Sequence, residues 1–324
     1  MLLQRFMKIS KDSGSTEQGM EIHPRLPDFL IIGAAKAGTT ALFKAIGRHP
    51  HVYLPIDKEP RFFSFLDRSF DLAGPGAERL YRTSCKNTKD YMALFSECPE
   101  SAVTGEASAC YLECKRAPQK SHEWLPRAKL IAILRHPVDR AYSHFLNLRH
   151  DGKEPLADFK DAFMASDERA AARWIHWFHY KQKGFYGAHI NRWLEYFPRE
   201  QLLILFYEDW LERPGRVLNA IWNHLGIASI DEPLITKENV TSLKPRWVWL
   251  NQKMTDPENR LRLWAQHYLP LAIRDTITRQ LLRMNLKPGP QLDPILRREL
   301  AGIYAEDLNI IEALTCRDLR IWLK

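Results

Sequence analysis

Two short segments carry residue types suited to holding a phosphate-like anion. The first runs Gly33-Ala34-Ala35-Lys36-Ala37-Gly38-Thr39-Thr40, directly after the apolar stretch Phe29-Leu30-Ile31-Ile32 and directly before a helical pattern. A small-residue turn between a strand and a helix aims free backbone N–H groups and the positive end of the helix dipole at an anion. The glycine spacing is that of the nucleotide-hydrolysing phosphate loop, and Thr40 takes that loop's hydroxyl position. Thr39, however, stands where the loop has its lysine, and the lysine lies inside the turn as Lys36. Such a turn can still cradle a phosphate. It lacks the usual cation for a β/γ-phosphate pair, which argues against an ATPase or kinase. The plainer reading is a tight strand-to-helix turn without a ligand.

The second segment follows the apolar run Lys129 to Leu134 and reads Arg135-His136-Pro137-Val138-Asp139-Arg140-Ala141-Tyr142-Ser143. Arg135 leaves the carboxyl end of its strand, where open α/β sheets bind ligands. Pro137 suits the first turn of a helix, which places Ser143 nearly two turns along. An arginine fork and a serine hydroxyl together suit a phosphate. The alternative is an Arg135 paired with a carboxylate and a Ser143 that faces a neighbouring helix.

The elements that must position these groups are legible from apolar runs. Asp28 to Gly33, Ser101 to Gly105, Lys129 to Leu134 and Gln201 to Tyr207 read as buried parallel strands, and His51 to Leu54 as a weaker one. Helical patterns cover Thr39 to Ile46, Val138 to Leu148, Tyr186 to Phe197 and Gly215 to Leu225. Alternation of the two types predicts an α/β fold: a P-loop-like parallel sheet of about five strands flanked by helices. The chain after Leu243 reads as wholly helical, broken at Pro257, Pro270, Pro288 and Pro294. Residues 1–26 read as a disordered tail and 27–324 as one domain, with an α/β core over 27–226 and a helical C-terminal extension over 227–324. Trp174, Trp177, Phe178 and Tyr180 have the spacing of a buried helix face.

Composition narrows the function classes. The chain has 324 residues, 45% apolar and 27% charged, which excludes a disordered or fibrous protein. No apolar run has the length of a membrane span. The net charge of +8 suits an anionic ligand, a nucleic acid or an anionic surface without choosing among them. Basic residues do not form runs interleaved with aromatics, which argues against a nucleic-acid binder. Five cysteines make no disulfide framework, and Cys110 and Cys114 lack a second ligand pair, so no metal site is expected. Free thiols and the absence of a secretory signal fit a cytoplasmic location.

Taken together, Phe29 to Thr40 and Leu134 to Ser143 resemble the two donor motifs of the sulfotransferases that use 3′-phosphoadenosine 5′-phosphosulfate (PAPS). Further similarities are Lys58-Glu59-Pro60-Arg61-Phe62-Phe63, Gly105-Glu106-Ala107-Ser108, Gly184-Phe185-Tyr186 and Phe206-Tyr207-Glu208-Asp209. They extend from about Pro27 to Gly226, with weaker similarity to Leu323, and are closer to the bacterial and glycan-modifying branch than to the cytosolic phenol and steroid branch. The resemblance implies that Lys36, Ala37, Gly38, Thr39 and Thr40 hold the 5′-phosphosulfate, while Arg135 and Ser143 hold the 3′-phosphate. It implies contact of Tyr186 with the nucleotide, with core packing as the alternative, and of Lys244 and Arg246 with the 3′-phosphate or adenine, with solvated loop residues as the alternative. Lys36 would stabilise the leaving phosphate oxygen, and Glu59 would be the base that deprotonates the acceptor, the plainer reading being an exposed carboxylate paired with Lys58 or Arg61. Glu106 would line the site or bond backbone groups. Ala107 departs from a lysine that some glycan enzymes place there. His49 and His51, flanking Pro50, suit packing or capping better than catalysis. The implied acceptor is a hydroxyl, or an amine, of a small molecule or saccharide, with the desulfated nucleotide (PAP) as product and no metal required. A nucleotide kinase and a non-enzymatic anion or nucleic-acid binder are the competing readings.

Overall fold

The computed structural model describes residues 25–230, 243–245, 286–288 and 290–324. Five parallel strands, β1 (Phe29–Gly33), β2 (Val52–Tyr53), β3 (Val103–Ala107), β4 (Lys129–Leu134) and β5 (Leu202–Phe206), form a sheet in the order β2-β3-β1-β4-β5. Every residue of β1 is buried, as expected of a central strand covered on both faces. Its register pairs Phe29 with Gly105 on one side and with Lys129 on the other. From β1 the chain builds outward to β2 and β3, then crosses back past β1 to β4 and β5. The crevice between β1 and β4 is therefore the topological switch point, where such sheets bind ligands at their carboxyl ends.

Six helices matter for the site: α1 (Thr39–Ile46), α2 (Pro137–His150), α3 (Tyr186–Leu194), α4 (Pro214–Leu225), α5 (Pro294–Ala301) and α6 (Ala305–Thr315). Pro137 opens α2 and His136 caps it, Nδ1 accepting the Asp139 N–H at 3.3 Å. The other imidazole nitrogen donates to the Trp322 carbonyl at 2.6 Å. Burial pushes the His136 pKa down to about 4, with Asp139 opposing, so the ring is neutral in this bridge. One contiguous apolar core runs from Phe29 to Trp322.

Two expectations need correction. The chain after Leu243 is not wholly helical: β6 (Leu243–Pro245) and β7 (Leu286–Pro288) pair antiparallel. Both read Leu-Lys-Pro, and a proline drives the residue before it into extended backbone. Nor do Trp174, Trp177, Phe178 and Tyr180 share a helix face. They lie on an irregular segment with one short turn, His176–Phe178. The Ala73 N–H donates to the Arg173 carbonyl at 2.8 Å and the Ala73 carbonyl accepts from Ile175 N–H at 2.9 Å, so backbone pairing holds this stretch extended. No helix among the described residues is long and apolar enough to cross a membrane.

Candidate active site

The turn from β1 into α1 is built to leave donors free. Gly38 precedes the helix at φ +93, a left-handed conformation that costs a glycine little. A side chain there would also meet the Tyr207 ring at 3.0 Å. No side chain caps α1, so its first N–H groups face the crevice above the sheet. Thr39 is buried at the start of the helix and Thr40 is exposed beside it.

Lys36 is half-buried, and its Nζ donates to Asn147 Oδ1 on α2 at 2.7 Å. Burial lowers its pKa, the Arg135 charge lowers it further, and Asp151 opposes both. Asn147 is one helical turn beyond Ser143, so one stripe of α2 fronts the loop. Ser143 is half-buried on that stripe.

Arg135 leaves the end of β4 and reaches across the switch point. Its Nη1 donates to the Lys36 carbonyl at 3.2 Å, and its guanidinium lies 4.7 Å from the centre of the Tyr207 ring. The same ring abuts Gly38, so Tyr207 forms a shared wall for loop and arginine. Tyr186 is fully buried behind them, its hydroxyl donating to the Arg135 carbonyl at 2.8 Å. Lys244 is described only by its backbone, opposite Lys287, and Arg246 lies outside the described residues.

Glu59 stands at the carboxyl end of β3, its N–H donating to the Ala107 carbonyl at 2.9 Å. Its carboxylate accepts the Ala109 N–H at 3.2–3.3 Å and pairs with Lys58 at 2.8 Å, with Arg61 at 3.9 Å. The backbone at both Glu59 (φ +67) and Arg61 (φ +56) is left-handed, so this segment is held against its own preference. The sheet order thus sets three features side by side: Glu59 above β3, the β1–α1 loop above β1 and Arg135 above β4.

Glu106 does not line the crevice. It is fully buried in β3 and accepts from Tyr111 at 2.7 Å, Ser108 at 2.9 Å and Tyr91 at 3.2 Å. Burial pushes its pKa up to about 7; the three hydroxyls oppose the shift and the Glu59 charge adds to it. The Ser108 oxygen also accepts the Arg61 N–H at 2.9 Å, which ties this buried carboxyl to the Glu59 segment. His49 is buried against Trp222, with its Nε2 donating to the Ala228 carbonyl at 2.9 Å, and His51 is exposed. Packing and capping account for both. Asn147 and Tyr207 join the site without a role read from sequence: helical spacing from Ser143 is the available signal for the first, and the Phe206-Tyr207-Glu208-Asp209 similarity marks the segment of the second.

The arrangement suits a ligand with two anionic groups, one at the helix start and one at Arg135, and a reacting group near a carboxylate. Comparison with known proteins agrees. The sequence model of a family described as "Sulfotransferase domain" matches residues 26–259. Bifunctional heparan sulfate N-deacetylase/N-sulfotransferase 2 of Bos taurus is 33% identical over 226 residues, covering 68% of this chain and 24% of that protein. The corresponding enzyme 3 of Homo sapiens is 32% identical over 214 residues, covering 63% of the chain and 22% of that protein. The chain therefore spans only about a quarter of the length of these relatives. The crystal structure of a sulfotransferase from Alicyclobacillus acidocaldarius superposes with a TM-score of 0.71 at 28% identity, covering 93% of this chain and all of that one. With the family model matched over residues 26–259 and the fold shared with a solved sulfotransferase, this chain belongs to the sulfotransferase family.

Proposed function

We propose that residues 27–324 act as one domain that transfers a sulfuryl group from PAPS to a hydroxyl or amine of a saccharide or small molecule, releasing PAP. The observation that carries this reading is the lateral order of Glu59, the anion loop and Arg135 across β3, β1 and β4. The 5′-phosphosulfate then takes the loop Lys36, Ala37, Gly38, Thr39 and Thr40, and the 3′-phosphate takes Arg135 and Ser143. Tyr186 backs the nucleotide site, and Lys244 and Arg246 close on the 3′-phosphate or adenine. The acceptor enters from the Glu59 side.

Sulfuryl transfer asks the protein for alignment, charge stabilisation and removal of one proton. The acceptor oxygen or nitrogen forms its bond to sulfur as the bond from sulfur to the 5′-phosphate oxygen breaks. The electron pair of that bond leaves with the phosphate, where Lys36 and the α1 N-terminus meet the growing negative charge. The acceptor proton goes to the Glu59 carboxylate, which Ala109 N–H and Lys58 hold in place. The heparan sulfate N-sulfotransferase relatives support a saccharide acceptor and an amine among the groups to test.

Calorimetry with PAP and with ADP, followed by transfer assays from PAPS to amino and hydroxyl saccharides, tests the proposal. Tight binding of PAP alone and sulfated product are expected. Equal binding of the two nucleotides, or no transfer to any such acceptor, refutes it.

A further inference from the structure

The family model ends at residue 259, yet the described segment after it reaches back onto the donor site at several points. Trp322 offers its carbonyl to His136, the residue after Arg135. Arg297 on α5 grips Asp139 with two bonds of 2.8 and 3.1 Å. Arg317 pairs with Asp209, two residues beyond Tyr207. A further contact comes from Asp307 on α6, which is 8% exposed. Its carboxylate accepts the Gly187 N–H at 2.7 Å and the Ala188 N–H at 2.8 Å.

Gly187 and Ala188 follow Tyr186 at the start of α3, where N–H groups have no partner within their own helix. A side chain at position 187 would come within 2.4 Å of the Asp307 carbonyl, so the two helices meet backbone to backbone. Tyr186 in turn fixes the Arg135 carbonyl through its hydroxyl. A continuous chain of short contacts thus runs from α6 to the arginine.

We propose that Asp307, beyond the stretch matched by the family model, is a positioning residue for the 3′-phosphate: it fixes the start of α3, and through the Tyr186 hydroxyl it fixes Arg135. The proposal rests on the donor assignment above. A charged group held through such a chain keeps its geometry only while each support is in place.

The test measures dissociation constants of PAP and of adenosine 5′-phosphate, which lacks the 3′-phosphate, by calorimetry on the full chain. Wild type, Asp307→Ala, Asp307→Asn, Tyr186→Phe and the Asp307→Ala/Tyr186→Phe double variant are compared, each after its melting temperature is recorded. Asp307→Ala should weaken PAP about tenfold, a difference of one decade in Kd, while adenosine 5′-phosphate changes less than about threefold. Asp307→Asn keeps one acceptor and nearly the same shape, so it should fold and show a smaller but still selective loss. The double variant should bind PAP no worse than the weaker single, because both changes break one chain of contacts. Equal losses for the two nucleotides, in whichever Asp307 variant folds, or multiplying losses in the double variant, overturn the proposal while leaving the donor assignment intact. A wild type indifferent to the 3′-phosphate overturns both.

Discussion

Replacing Glu106 by glutamine should change how stability depends on pH by a predictable amount. The side chain is fully buried, and its carboxyl titrates at about 7 in place of the usual 4.5. A rise of that size corresponds to about 3 kcal/mol of difference between the protonated and ionised forms. The sign follows from proton counts. Between pH 4.5 and 7 the folded chain keeps a proton that the unfolded chain sheds, so unfolding releases it. The stabilisation is fully present below the lower value and is lost as pH rises through the upper one. Glutamine keeps the size, an acceptor oxygen for the two tyrosine hydroxyls and an amide N–H that can donate to Ser108, but has nothing to titrate. Urea unfolding of both proteins, followed by fluorescence of the ten tryptophans from pH 4.5 to 8.5, gives the two curves. The stability of wild type relative to the variant should fall by about 3 kcal/mol across that range. The buried His136 and the half-buried His179, both pushed down to about 4, slope the opposite way but occur in both proteins and cancel. Parallel curves would refute the argument, since they would mean that the carboxyl ionises as easily inside the protein as outside.

Arg135→Ala should weaken PAP by about 10–100-fold through loss of a charge-assisted contact, with calorimetry showing little change for adenosine 5′-phosphate. Lys36→Met should lower turnover by about 10²–10³ while PAP affinity changes far less, because charge on the leaving oxygen grows only in the transition state. Glu59→Gln should lower transfer to a poorly acidic alcohol by about 10²–10⁴, and steady-state rates should show the deficit shrinking with more acidic acceptors.

Much of this architecture was legible because a strand covered on both faces is apolar along its whole length. β4 and α1 fall on the expected residues for that reason. β3 does not: the apolar run around Ser101 to Gly105 points two residues too early, and the strand continues through Glu106 to Ala107. A carboxyl inside a sheet defeats a reading based on apolar runs, because only its three hydroxyl partners, distant or out of line in sequence, make it tolerable there. The same limit hid Asn147 and Asp307, polar residues whose meaning depends on what the fold brings opposite them. The anion loop needs no distant partner to be recognised, since its glycines, its lysine and its helix are consecutive. The aromatic cluster at Trp174 misled in the reverse way. Spacing alone suggested a helix, and a backbone pairing with Ala73, far away in sequence, decided otherwise.

The His136 bridge to Trp322 has a consequence for how the protein is made. The two residues are 186 positions apart, so the anchor for the Arg135 segment is synthesised long after the segment itself. At usual elongation rates of about 5–20 residues per second, that delay is roughly 10–40 s. During this interval β1, β3 and β4 can pair, but the residue next to Arg135 still lacks its partner. Contacts of such sequence separation also slow the final step, because the loop must close before they contribute. A chain emerging from the ribosome would therefore acquire its sheet first and the anchor of its Arg135 segment last, and any ligand that binds only the state in which Trp322 has docked would act as a late folding aid.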